Sequence, residues 1–349
     1  MKINREHIKK TFQEYTDRYD STNPKIKLKI DHTYRVADLC EQIAQSLELS
    51  AAEVDLAWLS GMLHDVGRFE QLRRYNTFSD AQSIDHARFA VELLYDEGLI
   101  ADYVPEISTT ELVVDARTWR SMSDGSDSAG KRGAAEKIGG TGALIKSDAL
   151  EGISGEGVST RSATPGGASG EGILSKLDTT EQVNGGHGFY TAQSEDMPLS
   201  DILQTLRIAI GEHSAYRIQK GLDERTRMFC HILRDADKVD IFRVICDTPM
   251  EEVYGFQTKD ILRSAITPEV MQAFYEHHAV LRKLKKCPAD YIVAHGSLTF
   301  ELVYPESLRI AKEQGYLKQM MSFQSENPDT AEIFEDLRKD LNGYLEERS

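Results

Sequence analysis

Six side chains stand out for the chemistry they could do together: His32, His64, Asp65, His86, His213 and Asp237. Each is an imidazole or a carboxylate, and each falls on, or at the end of, a segment that reads as a buried or amphipathic helix. His64 and Asp65 are adjacent, at the end of an apolar run that closes with Ser60 to Leu63 and continues into Val66, Gly67 and Arg68. Ionisable groups on a core face cost free energy unless they are paired or hold an ion. A lone histidine there is ordinarily a satisfied core residue, but six such groups in one chain shift the balance toward metal binding. Imidazole and carboxylate without thiolate suit manganese or iron first, then magnesium, cobalt, nickel or zinc, and disfavour Cu(I). Four such ligands make one site. Six, with one carboxylate shared, make two sites roughly 3.5–4 Å apart.

The basic residues near the pair suggest what such a centre acts on. Arg68 follows His64-Asp65 directly and is placed to clamp a phosphate, because a guanidinium holds two oxygens at once. Arg73, Arg74 and Lys238 are further substrate-binding candidates, weighed against being solvated surface charges. Tyr75 and Phe78 fit packing under the loop better than stacking on a base. Glu70 and Asp80 are candidate proton shuttles. A metal held by such a set, with Asp65 among its ligands and Arg68 beside it, makes water attack on a bound substrate one chemistry open to these residues.

The elements that must position these groups are helical. Arg5 to Tyr19 reads as a short helix. Val36, Leu39, Cys40, Ile43, Ala44 and Leu47 recur at helical spacing, with Asp31 as the expected cap and His32 in the first turn. Ser50 and Glu53 form a capping-box pattern that opens a helix apolar around much of its circumference, hence buried. Gly67 is its expected stop. Arg68 to Ser83 lacks a period and reads as a loop or broken helix. Asp85 caps a third helix with His86 in its first turn, ended by Gly98. Helical stripes resume at Pro198 and lead to His213. Asp223 or Glu224 opens the helix that carries Asp237, and 267–286 reads as one further helix that leaves His277 and His278 partly exposed. One or two helices over 289–323 and a last one over 328–347 complete the pattern, with Leu298 to Tyr304 as the one β-like run.

Between these halves lies a different composition. Residues 121–190 hold 16 of the 25 glycines. Such a segment cannot bury enough apolar surface to offset its ordering entropy. The expected organisation is therefore a discontinuous helical domain (1–107 and 197–250), a largely flexible glycine- and serine-rich insertion (108–196), and a C-terminal helical extension (251–349) packing on the domain. The net charge of −16 argues against a nucleic-acid polymer as partner, which calls for a basic face. Four separated cysteines, a charged stretch from Met1 to Asp20 and no long apolar run lead to the expectation of a cytoplasmic protein without membrane contact. A homodimer is compatible with the C-terminal helices.

HTYRV at 32–36, GMLHDVGR at 61–68, DHA at 85–87, EHS at 212–214 and ILRDADKVD at 232–240 resemble, in this order, the motifs of the HD-domain metal-dependent phosphohydrolase superfamily, in its six-ligand, two-metal branch. The resemblance covers about residues 25–105 and 199–247. It implies an all-α helical bundle, a first metal on His32, His64, Asp65 and Asp237, and a second on Asp65, His86 and His213. It also implies Asp237 rather than Asp235 as the ligand, with Asp240 a helix-face acid or a partner behind the ligands. His213 follows His86 by 127 residues, far more than the family's usual gap, and the insertion would account for the excess. The implied activity is phosphomonoester or phosphodiester hydrolysis on a nucleotide or small phosphorylated metabolite. A branch of the superfamily uses the same ligands for di-iron oxygenation of polyols or phosphonates, and a non-catalytic metal-binding signalling module is a further alternative.

Overall fold

The computed structural model describes residues 3–106 and 198–348, and the expected insertion at 108–196 lies outside them. Among the described residues there is no strand: the chain is an all-α bundle. After α1 (Arg5–Thr16) come α2 (Pro24–Ser46), α3 (Ala51–Leu63), α4 (Val66–Tyr75), α5 (His86–Val91) and α6 (Ile100–Tyr103). A π-helical turn, Glu92–Asp96, continues α5. The second half begins with α7 (Leu199–Glu212) and α8 (Glu224–Asp247). The run Leu298 to Tyr304 is a 3₁₀ turn followed by extended chain, so the β-like composition there leads to no sheet.

Local chemistry explains where the helices start. Ser50 and Glu53 form the expected capping box at α3, Asp85 accepts from the amides of Ala87 and Arg88 at α5, and Asp223 accepts from Thr226 at α8. The start of α2 corrects the expectation at Asp31. Asn23 is the cap, its side chain accepting from the Lys25 amide, and Pro24 stands at the first helical position, where its missing N–H costs nothing. His32 therefore sits two turns inside α2, with Lys29 one turn before it.

Two glycines act as contact points between helices. A Cβ on Gly61 would lie 2.5 Å from Ala37 Cα, so α3 touches the backbone of α2 there. A Cβ on Gly67 would lie 2.8 Å from the His86 carbonyl oxygen and 2.9 Å from the Ala90 nitrogen. Gly67 is thus not the stop that the sequence suggested. It lies inside α4 and lets that helix press on α5. The segment after Arg68 is a regular helix up to Asn76, which caps it in the left-handed region at φ 53°.

The helical hairpin α2–α3 forms the centre, and α8 packs across both of its helices. Helix α7 packs on α8, α3 and α5, which closes the bundle around the ends of α3 and α7. The remaining helices are α9 (Met250–Tyr254), α10 (Thr258–Leu262), α11 (Pro268–Tyr275), α12 (Asp290–Gly296), α13 (Pro305–Gln314), α14 (Tyr316–Met321) and α15 (Pro328–Arg348). Of these, α13 and α14 lie against α8, and α13 also meets α2.

The single helix expected over 267–286 ends at Tyr275. His277 takes φ 55°, its amide donates to the Phe274 carbonyl, and the His278 amide donates to that of Ala273. This is a Schellman stop with histidine where glycine is usual. Among the described residues no helix is long and apolar enough to cross a membrane.

Candidate metal centre

Each of the six residues sits at a place its local structure fixes. His32 projects from α2, and His64 is the C-cap of α3. Asp65 precedes α4 as its N-cap, and His86 opens α5. His213 is the C-cap of α7, and Asp237 lies midway along α8. All six are buried. The structure brings them together, His86 and His213 included, despite the 127 residues between these two.

The four imidazoles share one orientation. Each Nδ1 lies on a carboxylate or carbonyl oxygen: His32 on Asp240 at 2.8 Å, His64 on the Gly61 carbonyl at 2.7 Å, His86 on Asp80 at 2.6 Å, and His213 on the Ile210 carbonyl at 2.7 Å. Acceptors there fix the proton on Nδ1 and leave the Nε2 lone pair facing inward. The four Nε2 atoms face the carboxylates of Asp65 and Asp237.

They divide into two groups. His32 and His64 Nε2 are 3.4 Å apart; they lie 3.6 and 3.4 Å from Asp65 Oδ2, and 3.1 and 3.9 Å from Asp237 Oδ1. His86 and His213 Nε2 are 3.0 Å apart, and lie 3.7 and 3.8 Å from the other oxygen of Asp65, Oδ1. Two imidazole lone pairs aimed at each other at such distances repel unless a cation or a proton lies between them. The donor set therefore fits divalent ions, with one carboxylate oxygen of Asp65 toward each group.

The electrostatics differ between the groups. Burial and the Lys29 ammonium oppose charge on His32, but its bonds to Asp237 and Asp240 prevail and raise its pKa above 6.5. Burial, with His86 and His64 nearby, pushes His213 down to about 3. Burial and Arg68 likewise lower His86. Asp65 resists its burial because Lys29, His64 and Arg68 hold it well below the usual carboxylate range. Asp237 is held low against burial by His32 and His64.

The neighbouring acids behave differently from one another. Asp240 takes His32 Nδ1 on one oxygen and is braced by Arg35 and Arg243. It is the partner behind a histidine that the sequence allowed. Asp235, two residues before Asp237, faces away and accepts the amides of Val303 and Tyr304 at 2.9 and 3.0 Å, tying the C-terminal helices to α8. Arg234 caps the end of α7, its Nη1 donating to the carbonyls of Glu212, His213 and Ala215.

The substrate-binding candidates separate. Arg68 is buried beside the centre, its Nε 3.6 Å from Asp65 Oδ1, but its Nη1 is already committed to Gln71, the Phe78 carbonyl and Asp80. Arg73 and Arg74 are not brought to the centre: both side chains are exposed and turn back to the buried Glu70. That engagement also removes Glu70 from the shuttle role. Asp80 is fixed between Arg68 and His86. Lys238 Nζ lies near the Arg234 carbonyl at 3.5 Å, on a different side of α8 from Asp237. Phe78 is buried under the ammonium of Lys29, 5.6 Å away, which fits packing, while Tyr75 is exposed.

Sequence reasoning missed Lys29. Its Nζ donates to Asp65 Oδ2 at 2.7 Å from a nearly buried side chain. The signal was its i, i+3 relation to His32, hidden because the helix was expected to begin later. Lys29, Arg68, Ser214, Ile241 and Val244 join His32, Asp65, His86, His213 and Asp237 in lining a narrow cleft that opens to solvent.

Neither a comparison with curated proteins nor one with solved structures gives a match. A comparison with protein families does: the family described as HD domain matches residues 30–122, the segment that carries His32, His64, Asp65 and His86. Taken with the all-α bundle and a His/Asp cluster able to hold a metal, that match makes the segment 30–122 similar to an HD domain.

Proposed function

We propose that the chain is a metal-dependent phosphohydrolase acting on a nucleotide or another small phosphorylated metabolite. The observation that carries this reading is the convergence of four pinned imidazoles on Asp65 and Asp237, with Lys29 and Arg68 lining the same cleft. HD domains as a class are metal-dependent hydrolases, which is the coarser statement the family match supports.

In this reading His32, His64, Asp65 and Asp237 hold one divalent ion, and Asp65, His86 and His213 a second. Bound ions would supply a water acidic enough to attack at neutral pH and would offset charge on the phosphoryl oxygens. The chain's own groups do the rest. Asp240 and Asp80 hold His32 and His86 in the tautomer that leaves Nε2 free. Arg68, locked by Gln71 and Asp80, keeps a fixed positive charge beside Asp65. Ile241 and Val244 give the cleft an apolar wall for the part of the substrate that does not react.

The test is metal analysis of anaerobically purified protein, followed by a panel of phosphorylated metabolites with and without manganese. Metal-dependent phosphate release from a member of the panel is the expected result. Iron-dependent oxygen consumption without phosphate release from any member would overturn the reading in favour of oxygenase chemistry.

A further inference from the structure

Lys29 is a buried ammonium for which the ligand set alone gives no reason. It lies one turn before His32 on the same face of α2 and reaches Asp65 Oδ2 at 2.7 Å, with its side chain 10% exposed. It lines the cleft together with Arg68, whose Nε has no hydrogen-bond partner among the described residues. Against these two cations stand three carboxylates: Asp65 and Asp237, which face the imidazoles, and Asp80, which pairs with Arg68 at 2.9 Å. The four imidazoles add no charge when neutral.

One divalent ion would therefore leave the cluster at about +1, and two at about +3, by this count of unit charges. Buried like charges are costly unless an anion completes the cluster. If the protein only had to hold metal, an apolar residue at position 29 would serve better. The ammonium also needs a new acceptor once Asp65 Oδ2 turns to an ion, because an ammonium has three donors and no other means of satisfaction. The ring of Phe78, 5.6 Å from Nζ, covers one side and offers no oxygen. The open side is the cleft.

We infer that Lys29 is a substrate-binding residue that holds a non-bridging phosphoryl oxygen and, with Arg68, selects a phosphomonoester dianion over a phosphodiester or a neutral polyol. The inference rests on the phosphohydrolase reading and narrows its substrate class. A monoester at neutral pH carries close to two negative charges; a diester carries one and a polyol none.

The test titrates inorganic phosphate and dimethyl phosphate, calorimetrically, into manganese-loaded wild type, Lys29→Gln and Lys29→Arg, with metal content measured on each sample. Wild type is expected to bind phosphate well ahead of dimethyl phosphate. Lys29→Gln is expected to bind phosphate at least ten-fold more weakly and to lose most of that preference with its metal content unchanged, and Lys29→Arg to restore much of it. Phosphate binding and preference left intact in Lys29→Gln would overturn the inference alone. Loss of metal in Lys29→Gln would also overturn it, since Lys29 would then act only by supporting Asp65. A wild type that binds no phosphate would overturn the phosphohydrolase reading and the inference together.

Discussion

On one side of Asp65, His32 and His64 face a second carboxylate, Asp237, at 3.1 and 3.9 Å. On the other side, His86 and His213 face each other, and among the described residues Asp65 is the one carboxylate within 4.0 Å of their Nε2 atoms. The first group sits where the central hairpin α2–α3 meets α8, with Asp240 braced by two arginines behind it. The second sits where α5 meets α7, with the partly exposed Asp80 behind it. Ion affinity grows with anionic ligands and with a rigid shell around them. In the proposed reading the two groups would form one centre with unequal halves, an ion being held more tightly on the His32 side than on the His86 side.

The largest expected effect removes what the halves share. Asp65→Ala should lower kcat by several kcal/mol in barrier, about 10³-fold or more, with loss of metal from both groups. Steady-state kinetics and metal content check it, and a variant that stays active would show that the halves do not meet at Asp65. A smaller effect separates them. Asp240→Asn should weaken ion binding on the His32 side by about 10- to 100-fold, and Asp80→Asn should do the same on the His86 side. Competition with a chelator, followed for each variant, reads this as loss of the tighter ion in one and of the weaker ion in the other.

The smallest effect is in the response of metal-free protein to acid. His213 has a folded pKa of about 3 against an ordinary 6.5, so as pH falls below 6.5 the unfolded chain takes up a proton that the folded chain refuses. Stability is lost in that direction, by about 1.4 kcal/mol per pH unit for one such group. His32 has the opposite sign. Its folded pKa is raised, so its contribution is fully present below 6.5 and lost as pH rises through the folded pKa. Between pH 6.5 and 5, His213→Gln should flatten the acid loss by about 2 kcal/mol, whereas His32→Gln should leave that slope nearly unchanged and lower stability throughout the window. Urea unfolding of the metal-free variants at the two pH values measures both, and equal slopes would show that the halves are electrostatically alike.

Much of this centre was legible in the residues. The six candidates announce themselves because each puts a polar group where helical periodicity demands an apolar one. The caps at Ser50, Asp85 and Asp223 are legible because their side chains satisfy amides locally, within three residues. What could not be read depends on tertiary approach. Lys29 lies before the helix start expected at Asp31, and only the actual start at Pro24 turns it inward beside His32. Gly67 looks like a helix stop, and only the closeness of α5 shows that its missing side chain is what counts. Arg73 and Arg74 read equally as phosphate contacts or as surface charges, and Glu70, within one helical turn of both, pairs with them. His277 ends α11 in a conformation that favours glycine, and nothing local in the sequence marks it.

One centre of two unequal halves bridged by Asp65 would show itself in metal stoichiometry. Metal content per chain, measured after exhaustive dialysis on manganese-loaded wild type and on His213→Ala, tests it most directly. The structure predicts about two ions in wild type and one, still tightly held, in His213→Ala, because removing one imidazole from the weaker half leaves the His32 side intact. Equal metal content in the two proteins would contradict it.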